Sequence, residues 1–116
     1  MSDFDLGTKN LRLERDGPIL WCTIDRPHAR NALTPSMYFG IKKAVHLVNA
    51  DKDLRALILT GTGDVFAPGG DLGGRYEKGD QQVPEGLHYE CLPFVTIRES
   101  MAPVISAVNG ICQAGG

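Results

Sequence analysis

LILTGTGDVFAPGGDL, residues 57–72, is the stretch that decides the fold. The apolar run around it starts at Leu54 and lasts to Thr60 (LRALILT). It is too short for a helix and too apolar for an edge strand, which predicts a fully buried strand in a parallel or mixed sheet. Between Gly61 and Gly79 there follow seven glycines and one proline. Such density after a strand marks a loop whose backbone conformation matters. Gly61-Thr62-Gly63 opens like a dinucleotide fingerprint. Phe66 holds the sixth position, however, and Pro68 prevents a helix from starting there, so that reading fails. Gly69-Gly70-Asp71-Leu72 predicts a tight turn feeding a helix N-terminus. Unpaired backbone N–H groups at such a turn make a site for negative charge.

Working outward, Leu11 to Arg15 alternates apolar and polar residues, Asp16-Gly17-Pro18 turns the chain, and Ile19 to Ile24 returns. The pattern predicts a β-hairpin. Arg26-Pro27 ends the second strand, and Thr34 with Pro35 supplies an N-cap and first helical position. Met37, Ile41, Ala44, Val45 and Val48 then form one apolar stripe, with Lys42, Lys43 and Asn49 on the wet side. On the other flank a weaker helix falls within 87–100, broken or begun at Pro93, and Val104 to Val108 reads as a last buried strand. The order β-β-α-β-loop-α-β indicates the α/β class. After the last strand, Asn109-Gly110 and Ala114-Gly115-Gly116 stand where a helix should begin, and none begins. We therefore expect residues 1–116 to be the N-terminal part of a longer single domain. Strands deprived of partners predict exposed apolar surface along 57–59 or 104–108, and a tendency to aggregate.

Composition narrows the classes. With 12 Lys and Arg against 14 Asp and Glu, the net charge is −2, so no basic excess exists to neutralise a nucleic-acid backbone. The apolar runs are far too short to span a membrane, and MSDFDLGTKN at the N-terminus is the opposite of a signal peptide. Cys22, Cys91 and Cys112, odd in number and apolar-flanked, read as reduced, buried thiols of a cytoplasmic protein. His28, His46 and His88 show no metal-ligand spacing, and no serine sits in a G-x-S-x-G elbow.

The second glycine cluster, Ala114-Gly115-Gly116, has the character of the first. Side by side, the two turns would aim two N–H donors at one oxygen, and each donor of such an oxyanion hole is worth about 3 kcal/mol to a transition state. On spacing alone, two ordinary glycine turns are the favoured reading. Four motifs at their spacing add a resemblance: IDRP (24–27), NAL (31–33), LILTGTGDVFAPGGDL (57–72) and PVISAVNG (103–110) resemble the enoyl-CoA hydratase/isomerase family, the crotonases. The likeness runs in order from about Leu11 to Gly116. It implies a crotonase-like (ClpP/crotonase) spiral of ββα units, here incomplete because family members are more than twice this length.

The resemblance also implies chemistry: acyl-CoA thioesters as substrates, coenzyme A being part of the substrate with no separate cofactor and no metal. The family's oxyanion donors fall on the backbone N–H groups of Gly70 and Gly115. Its CoA-contacting stretch falls on Ala29, Arg30 and Ala32, with Arg30 toward a CoA phosphate. Ala67, Pro68, Gly69, Gly70, Asp71 and Leu72 would line the acyl and pantetheine channel. Pro68 and Ala114 depart from the family's usual alanine and glycine. The two glutamates of the family's hydratases lie beyond the last oxyanion glycine, so this chain is expected to be inactive or nearly so. Glu77, Asp80, Glu85, His88 and Glu90 are candidate bases against a simpler reading as a charged loop. Enoyl-CoA hydratase is the expected activity of the full-length parent, a homotrimer or hexamer; isomerase, hydrolase, decarboxylase and lyase activities share the same hole. An inactive CoA-binding fragment, or a ubiquitin-like carrier ending in Gly-Gly, are the alternatives.

Overall fold

The computed structural model describes residues 5–71 and 93–116. Strands β1 (Leu11–Asp16) and β2 (Ile19–Ile24) form the expected antiparallel hairpin, Leu11 opposite Ile24 and Asp16 opposite Ile19. A 3-10 turn over Pro27–Ala29 leads to helix α1, Pro35–Ala50. Thr34 caps the helix as the sequence predicts: its side chain accepts from the Met37 N–H at 3.3 Å, while the Met37 sulfur accepts from the Thr34 N–H. Strand β3 (Ala56–Gly61) then pairs in parallel with β2, and β4 (Val65–Ala67) leaves for a second sheet. Helix α2 (Pro93–Arg98) begins at Pro93. Strand β5 (Val104–Ala107) returns beside β3, and β6 (Ile111–Cys112) returns beside β4. A strand in the first sheet followed by one in the second, then a helix, is the repeat of a ββα spiral.

The core lies between α1 and the four-stranded sheet, whose order is β1-β2-β3-β5. Leu20, Cys22 and Ile24 of β2 and Leu57 and Leu59 of β3 point to one face, in register, and meet the predicted helical stripe of Met37, Ile41, Ala44, Val45 and Val48. Their fully buried side chains each contribute roughly 1.5–3 kcal/mol of transfer free energy.

Three expectations need correction. The last strand is not buried: β5 is the sheet edge, so Ile105 and the following Val108 are half exposed (50% and 53%), whereas Leu57 and Leu59, covered by α1 and flanked on both sides, are sealed. Cys22 is buried as predicted, but Cys112 is exposed on the edge of the small sheet, and Cys91 lies outside the described residues. Asn49, expected to be merely solvated, fastens the end of α1 to the approach of β5. Its Oδ1 accepts from the N–H groups of Met101 and Ala102, and its Nδ2 donates to Ser100.

Candidate functional site

The site is assembled by three loop segments at one end of the strands. The first is 26–33. Arg30 and Asn31 both adopt left-handed φ values, 51° and 63°, a conformation in which asparagine is far better tolerated than most residues. Asn31 is buried and spends its amide on the chain around it. Its Oδ1 accepts from the Arg26 N–H at 2.9 Å, and its Nδ2 donates to the carbonyls of Val65 (2.8 Å) and Thr62 (3.3 Å). From the other side Asn109 also donates to the Val65 and Gly63 carbonyls and accepts from the Gly61 N–H. Two asparagines, 78 positions apart in the sequence, thus fix the turn between β3 and β4.

The second segment is Gly69–Asp71, laid against Leu33 as a parallel bridge. The Leu33 N–H donates to the Gly69 carbonyl and the Asp71 N–H to the Leu33 carbonyl, both at 2.9 Å. In a parallel bridge the middle residue turns its own N–H away from the partner. The middle residue here is Gly70, whose N–H donates no backbone hydrogen bond among the described residues. An ion pair secures the bridge: the Arg26 guanidinium, 2% exposed, lies 2.7 Å from an Asp71 carboxylate oxygen and also donates to the Ala32 carbonyl.

The third segment is the turn Gln113–Gly116, closed by the Gly116 N–H on the Gln113 carbonyl and tied to β4 by the Gln113 N–H on the Ala67 carbonyl. Ala114, where the family resemblance expects glycine, has φ 50°, so its methyl is carried at a cost on the order of 1 kcal/mol. Gly115 follows inside the turn, and its N–H donates no backbone hydrogen bond among the described residues. The second and third segments abut: a Cβ placed on Gly69 would lie 2.9 Å from the Ala114 Cβ and 3.6 Å from the Gly115 nitrogen.

Tyr38, in the first turns of α1, closes the arrangement and is the residue that sequence reading missed. Its hydroxyl would lie 3.4 Å from a Cβ on Gly70 and 2.5 Å from one on Gly115. Both positions therefore border a single phenol oxygen, and a side chain on Gly115 would have to displace it. The Tyr38 ring meets Phe94 edge-on, centroids 5.9 Å apart. Burial pushes the Tyr38 hydroxyl above the ordinary tyrosine range. Behind it is a cavity of about 130 Å³ bounded by Leu33, Phe66, Phe94, Ile97, Gly115 and Gly116, among others. An apolar hollow of roughly that size holds a benzene-sized guest.

The sequence-predicted residues are distributed unevenly about this point. Gly69, Gly70, Asp71 and Gly115 come together, with Ala67 lining the cavity and Ala32 joined to the Arg26 clamp. Arg30 lines a different hollow, of about 140 Å³, with Pro27, Asn31 and the turn Thr62–Val65; Ala29 lies beside it in the chain and is half-buried. Leu72 and the acids and histidine Glu77, Asp80, Glu85, His88 and Glu90 lie outside the described residues. Among the described residues no helix is long and apolar enough to cross a membrane.

A ββα spiral with paired glycine turns at the strand ends defines the class, and sequence comparison agrees: the enoyl-CoA hydratase/isomerase family profile matches residues 14–116, and the chain belongs to that family. It is 35% identical over 109 residues, 93% of its length, to a crotonyl-CoA hydratase of Syntrophomonas wolfei, of which it covers 42%. It is 36% identical over 112 residues, 94% of its length, to a carnitinyl-CoA dehydratase of Salmonella arizonae, of which it covers 41%. The crystal structure of an enoyl-CoA hydratase/isomerase from Pseudoalteromonas atlantica superposes with a TM-score of 0.74 at 31% identity, over 88% of this chain and 39% of that one. The fold is thus the crotonase fold, and the chain spans about two fifths of the length of the relatives it matches.

Proposed function

We propose that this chain forms the thioester-polarising part of an acyl-CoA-binding site, and that the activity it serves is hydration of a 2-enoyl-CoA. The observation that carries this reading is the meeting of Gly70 and Gly115 around one point, neither N–H donating to a backbone carbonyl among the described residues. A thioester carbonyl seated there accepts both N–H groups. As water adds to the β-carbon, electron density moves onto that oxygen, and the two fixed dipoles stabilise the enolate more than the ground state. Reprotonation at the α-carbon completes the addition. The Arg26–Asp71 pair does no chemistry in this scheme; it holds the Gly69–Asp71 segment against Leu33 so that the Gly70 amide keeps its aim. Proton handling falls to groups other than these amides. Family resemblance puts them after Gly115, so we infer little or no hydratase turnover by residues 1–116 alone. The other reactions of the family use the same enolate and remain the second reading.

Calorimetric titration with butyryl-CoA and with CoA itself tests the reading. The thioester should bind more tightly than the free thiol, and Gly70→Pro, which deletes one donor and breaks no backbone bond among the described residues, should erase the difference while leaving the circular dichroism spectrum intact. Equal affinities for the two ligands in the unsubstituted chain refute the proposed hole.

A further inference from the structure

We propose that Tyr38 is a third hydrogen-bond donor to the thioester oxygen, a catalytic residue supplied by a side chain beside the two backbone amides. This rests on the reading of Gly70 and Gly115 given above. Three observations carry it. Among the described residues its hydroxyl is the side-chain oxygen that borders both glycines, with a Cβ at either position falling 3.4 Å or 2.5 Å from it. The ring that carries it is held from two sides, by its place in the first turns of a capped helix and by the edge-on contact with Phe94, so the oxygen is not free to sweep. The wall around it is apolar. Of the described residues that bound the cavity, only Tyr38 and Ser106 have a polar side chain, and a phenylalanine would fill the same wall equally well. The hydroxyl is therefore surplus to packing.

The electrostatics suit a donor. Desolvation raises the tyrosine pKa, so near neutral pH the phenol keeps its proton and has one O–H to give. A hydrogen bond from it to a neutral carbonyl is modest, but the same bond to the enolate oxygen is charge-assisted and stronger. The contribution thus grows as the reaction proceeds, which is what accelerates a step. Gly115 has a second role in this scheme: any side chain there would displace the hydroxyl.

Acetoacetyl-CoA is the probe, because its enolate is stable and absorbs in the near ultraviolet. The pH at which the bound ligand ionises is read by absorbance for the unsubstituted chain and for Tyr38→Phe, with affinity for CoA as the control. The bound ligand should ionise at lower pH than the free one, and Tyr38→Phe should move that midpoint back up by about one unit, a roughly tenfold loss of enolate stabilisation, with CoA affinity unchanged. Fluorotyrosine at position 38, a stronger acid and stronger donor, should shift the midpoint the other way. A depressed midpoint that is the same with phenylalanine overturns the role of Tyr38 and leaves the amide pair standing. A midpoint equal to that of free ligand in the unsubstituted chain overturns the amide pair, and the tyrosine with it.

Discussion

Replacing Asp71 with asparagine leaves the buried Arg26 guanidinium facing a neutral amide where water only partly makes up for the lost charge. The two groups are 2.7 Å apart and 2% and 17% exposed, so the weak energetics of surface ion pairs, about 0–1 kcal/mol, do not apply. Breaking a buried pair by removing one partner costs about 3–5 kcal/mol, chiefly because the other charge stays buried. Here the guanidinium keeps the Ala32 carbonyl as an acceptor, and the carboxylate keeps some contact with water. Both reduce the penalty, and we expect about 2–3 kcal/mol. For a domain of this size 1 kcal/mol corresponds to roughly 4–8 °C in Tm, so the loss should exceed about 8 °C. Urea unfolding followed by circular dichroism gives the free energy directly.

The same pair allows a sharper check by a double-mutant cycle. Arg26→Met combined with Asp71→Leu removes both charges and should cost clearly less than the sum of the two single changes, because neither charge is then left buried alone. A loss under about 0.5 kcal/mol for Asp71→Asn, or strict additivity in the cycle, would show that the pair is solvated and does not anchor the Gly69–Asp71 segment.

Asn31→Ala should cost about 3 kcal/mol by urea unfolding, since it strands the Arg26 N–H and places alanine at φ 63°; Asn31→Gly should recover about 1 kcal/mol of that, and equal losses would refute the backbone share. In a Cys91→Ser background, one thiol, Cys112, should react promptly with a disulfide reagent and Cys22 only on unfolding; two fast thiols would contradict the burial. The Cys22 thiol is pushed up to about 12 by burial against an ordinary 9.0. The folded state therefore holds its proton where the unfolded state has released it. The resulting stability is complete below pH 9.0 and is lost as pH rises toward 12, a fall in the denaturation midpoint that Cys22→Ala should lessen.

What could be read from the sequence was what local chemistry decides. Asp16-Gly17-Pro18 can only turn, Thr34-Pro35 can only start a helix, and the Met37 to Val48 stripe has one helical face; all three are found where they were placed. Strands β4 and β6 were not foreseen because three and two residues carry no periodicity, and their pairing joins Val65 to Ile111, far apart in the chain. The exposure of Ile105 was legible as one of two alternatives: the buried character of Leu57 and Leu59 held, and the open apolar surface fell on 104–108. Arg26 lay in a recognised motif, yet nothing local pairs it with Asp71, 45 positions on. Tyr38 gave the least warning. An aromatic beside an apolar helical stripe is ordinary packing, and only the three-dimensional approach to Gly70 and Gly115 marks its hydroxyl.

The distribution of backbone strain bears on whether those two glycines are ordinary turns. Among the described residues, the non-glycine residues with positive φ are Arg30, Asn31 and Ala114. All of them fall in the segments that frame Gly70 and Gly115, and Gly69, at φ 115°, stands between. Left-handed backbone costs on the order of 1 kcal/mol per residue without special side-chain help, so a chain free to relax would lose it. It is retained because Asn31, Asn109 and the Arg26–Asp71 pair hold the surrounding carbonyls and amides in place. Strain and clamps of this kind support the proposed pairing of the two amides, since preorganised dipoles act on a developing charge only if they do not have to move toward it.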